Sequence, residues 1–282
     1  MILYKYVGFE AGLKILKTNT LGFSHLEDFN DPFEATALGL VDNSGVGLVV
    51  QTGAIKKRLS RKYAILSLTR APLNPLMWSH YGDSHKGVVI GFDTRLAGFE
   101  DSKKYLIPSN RGEVIYLNTP PKNHNSIDVE ELMAIDDSSI INWQNYESFL
   151  KHAFLYKSLC WSYEEEVRIV KNIACAGFGY HFSNKEKAVI DNQVWRRIQL
   201  ETRPIYTLEL PQESIVEVYV GKNAYIDQRR KQALTQPVVD HQVDNFNRLK
   251  EICSNRSIPL NVVNVDLESW SLKSKQIDLS EN

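Results

Sequence analysis

Trp161-Ser162-Tyr163-Glu164-Glu165-Glu166-Val167-Arg168-Ile169-Val170 is the stretch whose reading decides the fold. It ends as a strand, because Val167 and Ile169 recur at period two with Tyr163. On that period Trp161, Tyr163, Val167 and Ile169 share one face, and Glu164, Glu166 and Arg168 share the other. Glu165 is the misfit on the apolar face. Two carboxylates and a guanidinium on one strand face make either a solvated, ion-paired edge or the wall of a polar cleft. A carboxylate beside a carboxylate raises one pKa, and an arginine two residues on lowers it again. The cluster can therefore hold a tuned acid or base.

Around this stretch lies an ordinary folded composition: 282 residues, 43% hydrophobic and 24% charged. The organisation expected is a single α+β domain over 1–273, with insertions near 41–62 and 118–150 and a loose tail at 274–282. The formal net charge of -1 supplies no global field for nucleic acid or an anionic membrane, although a local basic patch stays open. Cys160, Cys175 and Cys253 are scattered and not in metal-ligand spacing, so they read as reduced, mostly buried thiols. Leu3–Val7 already reads as strand rather than leader, and no apolar run is long enough to span a bilayer. The expected setting is the cytoplasm, with no membrane partner.

The chain in order reads as strand (Tyr4, Tyr6), short helix (Phe9–Leu16) and short strand (Leu21–Ser24). Phe29-Asn30-Asp31-Pro32-Phe33-Glu34 follows as a tight corner with Phe29 and Phe33 as core anchors. Lys56-Lys57-Arg58 and Arg61-Lys62 form a basic run, either a solvated helix face or a phosphate patch. Tyr63–Arg70 and Val88–Asp93 are strands, the second apolar enough to be central. Between them Trp78, His80, Tyr81 and His85 crowd one loop beside Lys86. Such residues are either structural or the lip of a pocket for a flat aromatic ligand. Glu113–Leu117 is a strand, and a helical region over 127–159, broken near Asp136–Ser139, delivers Lys157 to the central stretch. Ala174–Lys187 suggests a loop or hairpin. Ile205–Leu210 and Ile215–Val220 are strands. Beyond Pro237 a helix through Phe246 and Leu249 leads to a last strand at Val262–Val265, and this strand–helix–strand unit suits a right-handed crossover. The fold class is α+β, with a mixed, mostly antiparallel central sheet and flanking helices.

The pieces Phe29-Asn30-Asp31-Pro32-Phe33-Glu34, Met77-Trp78-Ser79-His80-Tyr81, His85-Lys86-Gly87 and Trp161-x-Tyr163-Glu164-x-Glu166-x-Arg168 occur in this order, with Val218-Tyr219-Val220-Gly221 at the end. In this the chain resembles a family common in bacterial genomes, domain of unknown function 2971, over nearly its whole length. A looser resemblance is to ADP-ribosyltransferases of the Arg–Ser–Glu class. Its elements look like Lys5 between Tyr4 and Tyr6, Ser67-Leu68-Thr69, and Glu164-Glu165-Glu166. Here Lys5 stands where that class has Arg, and the second element lacks the middle Thr. This resemblance implies a split sheet, NAD as cofactor, and a protein or nucleic-acid acceptor, often in toxins or anti-phage effectors. Glu166 would stabilise an oxocarbenium-like state and Glu164 would orient the acceptor or a ribose hydroxyl. Ser67, Trp78, His80 and Tyr81 would shape the nicotinamide pocket. Tyr4, Tyr6 and His85 would join the cofactor site, with Arg168 or Lys86 on the pyrophosphate. Two further readings stay open. One is a binding or sensing module in which the same cluster is an ion-pair lattice. The other is a metal-dependent nuclease using Glu164, Glu166, Asp31 and a histidine, although no spacing dictates a metal site.

Overall fold

The computed structural model describes residues 1–38, 47–121, 143–174, 186–200, 204–224 and 240–279. The expected helix break at Asp136–Ser139, the glycines at 177 and 179, Cys175 and Pro237 lie outside these residues. In chain order the first elements are β1 (Ile2–Val7), α1 (Phe9–Thr18), β2 (Thr20–Phe23), α2 (Leu48–Lys62), β3 (Tyr63–Thr69), α3 (Pro75–His80), β4 (Val88–Asp93) and β5 (Ile115–Leu117). Then follow α4 (Trp143–Phe154), β6 (Tyr156–Ser158), β7 (Glu166–Asn172), β8 (Lys187–Ile190), β9 (Gln193–Gln199) and β10 (Pro204–Glu209). The last are β11 (Ile215–Val220), α5 (Asp240–Asn255), β12 (Leu260–Asp266) and β13 (Ser271–Gln276). The chain forms two compact units, one from Met1–Leu21, Leu68–Gly98 and Glu209–Asn282, the other from Gly22–Ser67 and Phe99–Leu208.

The first unit is built around β4, whose uninterrupted apolar run is buried on both faces, as a central strand requires. It lies between β1 and β11, antiparallel to both, and β12 and β13 extend the sheet beyond β11. Among the described strands of this unit β11 and β12 run parallel, with α5 between them in chain order. At the other side Tyr4 pairs with Thr69 at the end of β3. The result is a mixed, mostly antiparallel sheet with helices, as the periodicities indicate. α1 ends at Asn19, which takes a left-handed φ of 51° and donates its N–H to the Ile15 carbonyl. α3 begins at Asn74, whose side chain accepts the N–H groups of Leu76 and Met77, with Pro75 at the first helical position. The tail expected from residue 274 is a strand as far as Gln276, paired antiparallel with β12. A lysine-rich edge strand in which Leu272 alone is buried has the composition of a tail.

In the second unit β3 and β7 are neighbours in the sheet. The first six residues of β7 are buried, so Glu166 and Arg168 are interior rather than solvated. Ile55 and Leu59 of α2, Phe149, Leu150, Ala153 and Phe154 of α4, and Val170 of β7 share one hydrophobic core. The basic run therefore rides on an amphipathic helix whose apolar stripe is buried. A second sheet has the order β2-β10-β9-β8. β8 and β9 are an antiparallel hairpin turned at Asp191 and Asn192, both at positive φ (48° and 60°). β5 and β6 make a short parallel pair. Among the described residues no helix is long and apolar enough to cross a membrane.

Candidate functional site

The stretch Trp161–Val170 is not one strand. Leu159–Glu164 forms a 3-10 helix, Glu165 follows with a left-handed φ of 44°, and β7 begins at Glu166. The residue that breaks the apolar face of a period-two reading is thus the hinge between two elements. Trp161 and Tyr163 consequently do not share a strand face with Val167 and Ile169. The hinge lets both flanking carboxylates reach the same ammonium, because Lys157 Nζ on β6 donates to Glu164 Oε2 (2.5 Å) and Glu166 Oε2 (3.1 Å). The same ammonium lies 5.0 Å from the centroid of the Trp161 ring.

Arg168 completes the network from β7. Its Nε donates to Glu166 Oε1 (2.9 Å) and its Nη2 to Glu166 Oε2 (3.0 Å). On the opposite side Nη1 and Nη2 grip Glu34 Oε2 (2.8 Å) and Oε1 (2.5 Å) as a bidentate fork. Nη1 also donates to the Phe154 carbonyl (2.7 Å), and the guanidinium sits 4.8 Å from the Phe29 ring centroid. Backbone geometry supports this arm. The Arg168 N–H donates to the Gly112 carbonyl (2.7 Å), and a Cβ at Gly112 would overlap the Arg168 carbonyl oxygen. The Glu166 N–H donates to the Tyr116 hydroxyl (2.9 Å).

All five charged side chains are buried, with three carboxylates (Glu34, Glu164, Glu166) against two cations (Lys157, Arg168). Burial alone would raise the Glu166 carboxyl, but the Arg168 and Lys157 charges overrule it and hold the group at about 2. The Ser67 hydroxyl on β3 adds to that stabilisation. Lys157 shows the same contest: burial disfavours its charge, and Glu166 and Glu164 raise its pKa nonetheless. At neutral pH Glu166, Lys157 and Arg168 are therefore all ionised.

Beside it lies a cleft of about 240 Å³, lined by Phe33, Leu117, Pro120, Pro121, Tyr156 and Lys157 with several small polar residues. Phe33 is 61% exposed there, so it is not the core anchor that its place in a tight corner suggests. Its neighbours fix it instead. Asp31 Oδ1 accepts the Phe33 N–H (2.9 Å) and Glu34 is locked by Arg168, so the corner turns its aromatic outward.

The residues read from sequence as one cofactor site divide between the units. Ser67, Glu164, Glu166 and Arg168 fall in the second, within the network. Tyr4, Tyr6, Trp78, His80, Tyr81, His85 and Lys86 fall in the first. There the Tyr4 hydroxyl donates to Glu217 Oε1 (2.7 Å), and Tyr219 donates to Oε2 of the same carboxylate (3.1 Å). Tyr6 donates to the Ala71 carbonyl (2.7 Å) and meets Trp78 edge-on, with ring centroids 5.3 Å apart. The fully buried Trp78 donates to the Pro72 carbonyl (2.9 Å), and the His85 ring stacks parallel to it at 6.2 Å. Asp83, Ser84 and His85 all take positive φ (48°, 52° and 66°), a strained run for residues with side chains. Burial, then the Lys222 charge, lowers the His85 pKa. His80 and Lys86 are exposed.

Sequence reasoning missed Glu34 and Phe33 as site members and left Lys157 and Tyr116 without roles. Glu34 is 134 positions from Arg168, beyond any local pattern. Cys160 is exposed rather than buried, whereas burial raises the Cys253 thiol to about 12. Among the described residues no group of His, Cys, Asp and Glu stands in an arrangement that could hold a metal ion. No curated protein and no solved structure matches the chain. One family model does: residues 77–169, from α3 through the buried arginine of β7, are similar to the family described as Protein of unknown function (DUF2971).

Proposed function

We propose that the chain is a ligand-binding module, with its ligand in the cleft of the second unit and the buried network as the frame of that cleft. The observation that carries this reading is the occupancy of Glu166: Lys157 and Arg168 meet both of its oxygens. A carboxylate so held is a brace. The Arg168–Glu34 fork fixes the corner that presents Phe33, and Lys157 ties β6 to the same lattice. Two walls of the cleft thus depend on one set of ion pairs, which preorganises the site and lowers the entropy lost on binding. Thermal-shift screening of wild type against Phe33→Ala tests it. Compounds should stabilise the wild type, by about 2.7 kcal/mol at 100 times Kd, and the variant much less. Phe33 is exposed, so the ligand-free proteins should unfold alike. Identical responses of both proteins to every stabilising compound would sink the reading.

A second reading is NAD-dependent ADP-ribosyl transfer to a protein or nucleic-acid acceptor. It is favoured by the action of Ser67 on Glu166, since that chemistry needs a hydroxyl on one strand beside the catalytic carboxylate of the next. Glu166 would have to exchange an ion pair for the developing positive charge of the ribose. Nicotinamide release from NAD by wild type but not by Glu166→Gln would support it, and no release by either protein would end it.

A further inference from the structure

We infer that the cleft takes an electrically neutral, planar molecule of one or two rings; this rests on the reading of the cleft as the binding site. Among the described lining residues Lys157 alone carries a charge, its side chain is 4% exposed, and its ammonium is held by Glu164 and Glu166. A phosphate or carboxylate entering the cleft would shed water and, among the described residues, meet only an ammonium already engaged by two carboxylates. An incoming cation fares no better, because the network member on the cleft wall is the ammonium itself.

Shape and chemistry supply the rest. The volume of about 240 Å³ falls just under the roughly 300–1,000 Å³ of sites for drug-sized ligands. The walls are the exposed Phe33 ring, Tyr156, Leu117 and the Pro120-Pro121 pair, surfaces that favour a flat apolar face. Asn118, Thr119 and Ser158 add neutral donors and acceptors for the edge of such a ring.

The test uses pairs that differ in charge on one ring: nicotinamide and nicotinate, uracil and orotate, indole-3-carboxamide and indole-3-carboxylate, benzamide and benzamidine. Each is titrated into the wild-type chain and Phe33→Ala by saturation-transfer NMR. Neutral members should bind the wild type, at least tenfold more tightly than their charged partners, and Phe33→Ala should weaken them tenfold or more. Charged members that bind as tightly as the neutral ones, with the same dependence on Phe33, would overturn the neutrality inference and leave the cleft standing. Absence of Phe33-dependent binding by any member would overturn the cleft itself.

Discussion

At Arg168 a guanidinium without solvent contact is held by two carboxylates and a carbonyl, and each partner is needed to offset the cost of its burial. Lysine keeps the charge but cannot fork, so Arg168→Lys should leave Glu34 or Glu166 under-paired. The expected loss is about 3–5 kcal/mol in urea denaturation, and a change below about 1 kcal/mol would refute the network's bracing role. Glu166 sets a pH signature. Its folded value of about 2 lies below its ordinary 4.5, so the unfolded chain takes up the proton first as pH falls. This contribution to stability is complete above about pH 4.5 and is lost between 4.5 and 2. In urea titrations across that window, wild type should lose stability more steeply than Glu166→Gln. Parallel slopes would show that the carboxylate is not held low.

Among the elements, β7 depends on a residue outside it. Gly112 lets its loop approach the Arg168 backbone more closely than any side chain allows. Gly112→Ala should displace β7 and cost several kcal/mol, as overpacking against backbone does. Circular dichroism melts would register this as a marked fall in Tm, and an unchanged Tm would mean the loop yields. Most strands were legible because their apolar runs are long: Val88–Asp93 and Ile215–Val220 have the same bounds in sequence and structure. The central stretch was not, because period two runs across the Glu165 hinge and a left-handed glutamate has no mark in sequence. The β8–β9 hairpin was missed although Asp191-Asn192 is a recognisable turn pair, since Arg196 and Arg197 interrupt the alternation. At the site, Glu164, Glu166, Arg168 and Ser67 stood out as a group, while Glu34 became visible only when the fold closed the distance.

For the molecule as a whole, 33 basic and 34 acidic side chains leave a net charge of -1. The protein should pass through heparin without retention in dilute buffer, and elution only above about 0.2 M salt would mean that basic residues gather into a polyanion-binding face. The interleaving of the units has a consequence for synthesis. β4 needs β1 from the first stretch of its unit and β11 from the last, and the second unit is complete by Leu208. On the ribosome the usual order, earlier chain folding first, is therefore reversed. The inserted unit has emerged entire while β4 still waits with one edge bare. During that interval the nascent chain offers an apolar, unpaired strand, the form of exposure that chaperones exist to cover.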